Sequence, residues 1–265
     1  MIYDSHEYFT ETPELVGRPR VQKVWKRIEL RVVPHLKEMN TVCDSIAELF
    51  EQQYGVKCHV VRNIPPKAAL PPKGDKKALD LPEDKHLLIL QGSGINIQRG
   101  AEELVESMQY LDDCFLMVIG GGDVLPTLKQ MTSDLHIEDR VRVLPRMPYQ
   151  QMMAYTQLAE FGFVLDKDTN LNYRFCLPNK LFDFIQAGVP IVASHLVEIE
   201  KIITKYNIGL FIPDHNPQSI AATIKAGLSD ASQRSVWQQG LAQAAQDLCW
   251  ENEQQTLIEI YKHYE

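Results

Sequence analysis

The chain has few cysteines, and none of them forms a Cys-x-x-Cys pair. The five cysteines lie far apart in the 265 residues, at Cys43, Cys58, Cys114, Cys176 and Cys249. The eight histidines show no His-x-x-x-His spacing. Closely spaced cysteines or histidines are typical of structural zinc sites. We therefore predict a reduced, cytoplasmic chain with no structural zinc and no other metal site.

Long hydrophobic runs and an excess of positive charge are also missing. No apolar run approaches the roughly 18 residues that a membrane-spanning helix needs. The first ten residues contain Asp4, His6 and Glu7, so no secretory signal is visible there. The net charge of −8 disfavours general binding to nucleic acid. A hydrophobic content of 45% is enough to form two small domains or one large one.

What the chain does contain, from His86 onward, is a regular alternation of apolar runs and helical periodicity. Such an alternation predicts an α/β fold with a doubly wound parallel sheet that is covered by helices on both faces. Ligands of these sheets bind beyond the carboxyl ends of the strands. The predicted strands are Leu87–Leu90, Phe115–Ile119, Val141–Leu144, Phe161–Leu165, Ile191–Ala193 and Leu210–Ile212.

A proline-rich segment separates this region from the start of the chain. Five prolines and four lysines stand between positions 65 and 82. This composition is typical of an extended, solvated linker. We predict an N-terminal part at 1–64, a linker at 65–85, a main domain at 86–247 and a C-terminal helix within 248–265.

The loop after the first predicted strand of the main domain combines glycines with a cation. Gly92 and Gly94 allow the backbone to approach a phosphate closely, and Arg99 can pair with it. The loop is not the dinucleotide fingerprint, because Ile97 stands where the third glycine would be. Taken by themselves the glycines are weak evidence, and Arg99 is equally compatible with a surface position.

Two further loops follow the next strands. Gly120-Gly121-Gly122-Asp123 reads either as a phosphate-side turn or as a plain strand-to-helix turn that Asp123 caps. Leu144–Pro148, which contains Arg146 and Met147, reads either as a ligand-side loop that offers its backbone groups or as a plain proline-bounded turn. The sequence alone leaves both alternatives open.

The stretch from Asn172 to Ser194 predicts a loop, a short helix, a tight turn and a buried strand. Pro178 suits a helix start, and Gly188 is a stop signal. Free N–H groups at the helix start, assisted by Lys180, favour binding of a phosphate. Asp183, one turn later, is placed to accept hydrogen bonds from a sugar hydroxyl. The alternative is an ordinary α/β connection whose aspartate faces water.

This stretch also carries a family resemblance. Leu177-Pro178-Asn179-Lys180-Leu181-Phe182-Asp183-Phe184, followed by Ala187-Gly188-Val189-Pro190, resembles the nucleotide-sugar site of the GT-B glycosyltransferases, in particular the retaining group 1, or family four. That family usually has two glutamates eight positions apart. The second corresponds to Asp183, and the first would fall on Phe175, so it is absent here.

The resemblance implies a Rossmann-like C-terminal half of a GT-B fold with a partial N-terminal domain. It also implies that the C-terminal helix at 248–265 crosses back to the N-terminal part, anchored by Trp250; the alternative is a terminal helix packed on its own domain. The resemblance further implies a retaining, metal-independent transferase that moves a sugar from a nucleoside-diphosphate sugar to a glycan or lipid-linked acceptor, with no cofactor. The implied donor-binding residues are Gly94, Arg99, Gly122, Arg146, Met147, Pro178, Asn179, Lys180 and Asp183.

The resemblance also assigns roles to some of these residues. Asp183 would hold the ribose, whereas Arg99, Lys180 and the helix start at Pro178–Asn179 would stabilise the leaving diphosphate. His6 would act at the donor sugar or acceptor, since the stretch Tyr-Asp-Ser-His-Glu closes a strand of the N-terminal domain in similar proteins. Without the resemblance, a lone loop histidine is more often solvated.

A basic amphipathic helix is predicted over Arg18–Arg31. Contact with anionic lipid headgroups at the inner membrane face is one interpretation. The pattern favours the other, a surface helix whose apolar stripe, with Trp25, is covered.

Two other functions remain open at this point. A nucleotide-sugar epimerase shares the fold, although no added acid–base pair for elimination chemistry is visible. A non-catalytic nucleotide-sugar-binding module is the other alternative, and the absent first glutamate favours it.

Overall fold

The structure, a computed structural model, describes residues 2–67 and 70–262. Met1 of the predicted N-terminal part, Ala68 and Ala69 of the predicted linker, and residues 263–265 of the predicted C-terminal segment lie outside the described residues. Within the described ranges, no helix is both long and apolar enough to cross a membrane.

The first part of the chain forms a small parallel sheet with helices packed around it. Its three strands, in the order β1-β2-β3, are β1 (Tyr3–Ser5), β2 (Glu38–Thr41) and β3 (Lys57–Val60). Its helices are α1 (Pro13–Val16), α2 (Pro19–Val32) and α3 (Asp44–Tyr54). Strand β2 was not predicted, because Glu38-Met39-Asn40-Thr41 contains a single large apolar residue.

The second sheet has six parallel strands in the order β6-β5-β4-β7-β8-β9, which confirms the predicted doubly wound architecture. The strands are β4 (His86–Gly92), β5 (Cys114–Gly120), β6 (Val141–Pro145), β7 (Phe161–Val164), β8 (Ile191–Ala193) and β9 (Gly209–Phe211). The helices are α4 (Ala101–Ser107), α5 (Leu125–Asp134), α6 (Tyr149–Thr156), α7 (Leu171–Arg174), α8 (Asn179–Ala187), α9 (Val197–Tyr206), α10 (Pro217–Ser229), α11 (Ala231–Asp247) and α12 (Trp250–Lys262).

The centre of the six-stranded sheet is the hydrophobic core. Leu88 and Ile89 of β4 pair in register with Leu116 and Met117 of β5, and all four side chains are fully buried. Strands covered on both faces need continuous apolar runs instead of an alternating pattern, which explains why these segments were recognisable.

Backbone geometry sets the start of helix α4. The helix begins only at Ala101, because Gly100 has a left-handed backbone with φ of 70°. It continues as a 3-10 helix at Met108–Tyr110.

The proline-rich segment also differs from the expectation of a fully solvated linker. Leu81 is only 5% exposed and belongs to the core, and the amide of Gln157 donates to the carbonyl of Pro71 at 2.9 Å. Prolines prevent regular pairing here, but the apolar side chains between them still pack.

The hydrogen-bonded contacts that join the N-terminal part to the main domain include those of Tyr8, Ser45 and Arg62. Asn172 accepts from the backbone N–H of Tyr8 at 2.9 Å. Glu198 of α9 accepts from the N–H and hydroxyl of Ser45 at the start of α3. In the third contact Glu253 of α12 pairs with the guanidinium of Arg62 at 2.8 Å.

Gly162 of β7 determines how closely α8 approaches the sheet. A Cβ atom at this position would lie 2.5 Å from the buried ring of Phe184. We expect Gly162→Ala to lower the free energy of unfolding by about 1–3 kcal/mol, because neither backbone nor ring has room to move. Urea-induced unfolding measures this change.

Gly17→Ala is the matched control, since its nearest neighbour would be a carbonyl oxygen at an ordinary 3.4 Å. It should change the free energy of unfolding by less than about 0.5 kcal/mol. Equal effects of the two substitutions would contradict the assigned packing.

Candidate functional site

The strand order creates a cleft at one edge of the six-stranded sheet. From β4 the chain proceeds outward to β5 and β6, and it then returns to β7 and proceeds in the other direction to β8 and β9. The loops after β4 and β7 therefore leave the sheet on opposite sides. Open α/β sheets bind ligands at this switch point, beyond the carboxyl ends of the strands.

A cavity of about 660 Å³, the main cavity, lies over this point. Its walls come from the carboxyl ends of β4 and β5, the loops after β4 and β6, helix α6 and the start of α8. Residues 63–65, where the chain leaves the N-terminal part, and Trp250 complete them. The residues that line the cavity include Asn63, Gln91, Ser93, Arg146, Met147, Tyr149, Asn179, Lys180, Asp183 and Trp250.

Asp183 lies in the main cavity and is held there by two side-chain hydrogen bonds. Its carboxylate accepts hydrogen bonds from the hydroxyl of Tyr149 at 3.0 Å and from the amide of Gln91 at 3.3 Å. Gln91 in turn accepts from the hydroxyl of Thr156 at 2.6 Å. This network fixes the rotamer of Asp183, so the carboxylate is directed into the cavity instead of toward bulk water.

Burial raises the pKa of Asp183 above its ordinary value, and the hydrogen bonds from Tyr149 and Gln91 offset only part of this effect. Burial also raises the pKa of Tyr149, and the neighbouring Asp183 charge raises it further. A phenol hydrogen beside a carboxylate is retained, so Tyr149 remains a donor over the physiological pH range.

Helix α8 begins at the wall of the main cavity. Pro178 precedes its first turn with an extended backbone, and Asn179 and Lys180 line the cavity. The backbone N–H groups of a first helical turn have no partner within the helix and carry partial positive charge. The start of α8 is therefore suited to an anion.

Arg146 adds a cation at the cavity mouth. Its guanidinium donates to the carbonyl of Ser93 at 2.5 Å and lies against the backbone of Gly121, where a Cβ would come within 2.2 Å. Among the described residues, no carboxylate lies within ion-pair distance of Arg146. Its positive charge thus remains available to a ligand.

A second cavity of about 160 Å³, the side cavity, adjoins the first and shares Asn63 and Asn179 with it. His6, Arg99 and Pro178 contribute to its walls. The predicted residues are therefore divided: Arg146, Met147, Asn179, Lys180 and Asp183 border the main cavity, whereas His6, Arg99 and Pro178 border the side cavity.

His6 is exposed at the rim of the side cavity. Its ring nitrogens lie 3.2 Å from the carboxylate of Asp4 and 2.9 Å from the amide of Asn63. These contacts orient the imidazole across the boundary between the N-terminal part and the main sheet.

Arg99 forms its contacts with residues of the main domain. Its guanidinium lies 3.3 Å from the carboxylate of Asp166 and stacks 5.0 Å above the ring of Tyr173. Lys180 contacts the same carboxylate at 3.7 Å. Both predicted phosphate-binding cations thus share one buried anion.

The two predicted glycines, Gly94 and Gly122, line neither cavity. Gly122 has φ of 152°, and a Cβ there would lie 2.0 Å from the carbonyl oxygen of Ile95. Its role in the structure is to let the loops after β4 and β5 pack against each other. Gly94 is half-buried and lies between Gly92 and Ile95, which both form backbone hydrogen bonds with Gly121.

Phe175, the position of the absent first glutamate, is a partly buried side chain that packs against the hydrophobic core. The site lacks a polar group at that position.

Sequence reasoning missed Gln91, Tyr149 and Asp166. Gln91 and Asp166 are polar residues that directly follow buried apolar runs, and this signal could have identified them. Tyr149 had no such signal, because it starts an ordinary helix. Among the described residues, no group of three His, Cys, Asp or Glu side chains is arranged to hold a metal ion.

Comparison with known families matches this region. The family model described as "Glycosyl transferases group 1" covers residues 73–243. The chain belongs to this family. The resemblance stated from the motifs is thereby confirmed, and the matched range includes both the main-cavity loops and helix α8.

Curated relatives are longer than this chain. A D-inositol 3-phosphate glycosyltransferase from Xylanimonas cellulosilytica is 22% identical over 196 residues, which cover 70% of this chain and 44% of the relative. Another, from Salinispora tropica, is 25% identical over 199 residues, covering 70% of this chain and 40% of the relative. The chain therefore spans less than half the length of these two relatives.

Solved structures share the fold. Sucrose-phosphate synthase from Thermosynechococcus elongatus superposes with a TM-score of 0.76 at 16% identity, over 91% of this chain and 62% of that one. The Anabaena protein HepE in complex with UDP-glucose superposes with a TM-score of 0.77 at 14% identity, over 98% and 72%. These matches confirm the GT-B type of fold.

The raised pKa of Asp183 makes a prediction about stability. Its folded pKa lies above the unfolded value of about 3.9, so the ionised carboxylate destabilises the folded state as the pH rises through the folded pKa. We expect Asp183→Asn to raise the Tm by about 1–3 °C at pH 8. The difference should shrink as the pH is lowered toward 4.

Thermal unfolding of both proteins across this pH range measures the effect. If Asp183→Asn were less stable than the wild type at pH 8 and equally stable at pH 4, the ionised carboxylate would stabilise the fold, and the prediction would be wrong.

Proposed function

We propose that this chain carries the donor-binding half of a glycosyltransferase that uses a nucleoside-diphosphate sugar. The proposed reaction is a transfer with retention of configuration, without a metal ion, to a glycan or lipid-linked acceptor. Support comes from the family and, separately, from solved structures of the same fold, which include a sucrose-phosphate synthase and a protein in complex with UDP-glucose.

One observation carries the proposal: Asp183, the start of α8 and the guanidinium of Arg146, which pairs with no carboxylate of the described residues, all face one cavity. A carboxylate that is held by two donors can still accept from the two hydroxyls of a ribose, since each oxygen has a second lone pair. A diphosphate suits the adjoining helix start and Arg146. The combination of a sugar-binding acid with an anion-binding helix end favours a nucleotide ligand over other small molecules.

The side cavity is the place for the donor sugar in this proposal. It continues from the diphosphate position past Asn179 toward His6. In transfer, the start of α8 and the nearby cations would oppose the charge that develops on the leaving diphosphate. His6, whose ring nitrogens contact Asp4 and Asn63, would exchange one of these contacts for a hydrogen bond to the sugar or the acceptor.

The proposal predicts selective binding of one nucleoside diphosphate. A thermal-shift panel of UDP, GDP, ADP and their sugars, followed by calorimetry, identifies the base. Arg146→Ala should weaken the selected diphosphate about tenfold, because it removes a charge-assisted contact. Arg142→Ala, in β6 just before the loop that contains Arg146, is the control, because Arg142 pairs with Asp80 outside the main cavity and its loss should leave the affinity unchanged.

Absence of a response to every nucleotide in the panel would refute the donor site. Equal losses in the two arginine variants would show that Arg146 is not at the phosphate.

A non-catalytic nucleotide-sugar-binding module is the second candidate. It is favoured by the core-packed Phe175 at the position of the family's first glutamate. Turnover of the selected nucleotide sugar to free nucleotide, measured with and without acceptor glycans, separates the two. Binding without any turnover would select the module.

We also propose that the protein is cytoplasmic and contacts an anionic membrane through α2. No residue of α2 is buried, and Trp25 is 41% exposed, so the covered apolar stripe expected from the sequence is not present among the described residues. Exposed cations and exposed apolar side chains alternate around this helix. A surface of anionic headgroups above acyl chains complements both.

This contact predicts salt-sensitive binding to phosphatidylglycerol vesicles and no binding to phosphatidylcholine vesicles. The double substitution Lys23→Glu/Arg27→Glu should lower the bound fraction at least tenfold in co-sedimentation, since each cation contributes about 1 kcal/mol. Lys129→Glu/Lys225→Glu, on helices of the main sheet, is the matched charge control. Equal binding by both double variants would exclude α2 as the contact.

A further inference from the structure

Asp166 is a buried carboxylate that the proposed chemistry does not yet use. It follows β7 by two residues, at the carboxyl end of a central strand, and it is 0% exposed. Neither of its oxygens accepts a hydrogen bond from the described residues. Such a group is costly to bury unless charges of opposite sign compensate it.

The negative charge of Asp166 is compensated by Arg99 and Lys180. Arg99 approaches one oxygen at 3.3 Å and Lys180 approaches the other at 3.7 Å. The Lys180 side chain is itself only 9% exposed. Each cation holds the carboxylate in place, and the carboxylate holds each cation.

The position of this ionic cluster connects the two cavities. Lys180 lines the main cavity, and Arg99 lines the side cavity. Asp166 lines neither, so it is screened from any ligand by the cations that it contacts. A carboxylate behind two cations fixes their side chains from the rear and leaves their outer faces toward the ligand.

We propose that Asp166 is a positioning residue that orients Lys180 toward the diphosphate in the main cavity and Arg99 toward the junction of the main cavity with the side cavity. This proposal rests on the proposed function, since it assumes a diphosphate in the main cavity. Without the carboxylate, the two cations would repel each other across the vacated site and turn outward to water. The preorganised cationic surface would then have to be reassembled on binding.

The sign of the effect distinguishes positioning from simple charge repulsion. If Asp166 only repelled the anionic ligand, its neutralisation would strengthen diphosphate binding. If it positions the cations, its neutralisation weakens diphosphate binding and leaves the nucleoside unaffected, because the base and ribose contact other residues.

The experiment compares Asp166→Asn with the wild type by calorimetry. The ligands are whichever of UDP, GDP and ADP binds the wild type most tightly, and the same nucleoside without phosphates. We expect about a tenfold loss of affinity for the diphosphate and less than a twofold change for the nucleoside. Unchanged or tighter diphosphate binding would overturn the proposal, and so would equal losses for both ligands.

Glu253→Gln is the control for general destabilisation. Glu253 is equally a buried carboxylate paired with an arginine, but it lies outside both cavities. Its neutralisation should lower the Tm without changing the ratio of the two affinities. A change of that ratio as large as in Asp166→Asn would overturn the assignment.

Two safeguards keep the outcome interpretable. If the wild type binds no diphosphate, the proposed function is contradicted. If the wild type binds a diphosphate and Asp166→Asn shows no selective loss of that affinity, only this inference is contradicted. If Asp166→Asn does not fold, Asp166→Glu replaces it, because one added methylene displaces both cations while keeping the charge. The same selective loss then supports the proposal, and its absence overturns it.

Discussion

The common direction of the six strands is the constraint on which the rest of this molecule depends. Because β4, β5, β7 and β8 all run the same way, the polar residues that end them meet at one edge of the sheet. The reversal of strand order between β4 and β7 opens that edge into a cleft. Without it, Gln91 and Asp183 would not come within hydrogen-bonding distance.

The cleft concentrates charged groups that are unfavourable for folding. Burial raises the pKa of Asp183, and Asp166 is buried without a hydrogen bond from any residue that the structure describes. Each is compensated locally, by Tyr149 and Gln91 in one case and by two cations in the other. Buried charged groups of this kind are characteristic of sites where side chains are oriented for a ligand.

The N-terminal part has a smaller sheet but is fastened to the main sheet by specific contacts. Glu198 accepts from the first turn of α3, and Glu253 pairs with Arg62. These contacts place His6 and Asn63 beside the start of α8, where they complete the side cavity. The relative placement of the two sheets is therefore part of the candidate site.

The sequence by itself determined the alternation of strands and helices, the helix that ends at Gly188 and the family motif around Asp183, since continuous apolar runs and glycine stops act locally. Through that motif it also indicated Asn179, Lys180 and Asp183 among the residues that line the main cavity. Only the tertiary structure decided that Tyr149 and Gln91, 34 and 92 residues from Asp183, are its partners. It alone placed Asp166 between Arg99 and Lys180, because pairing of buried charges follows from how loops meet in space and not from their spacing along the chain.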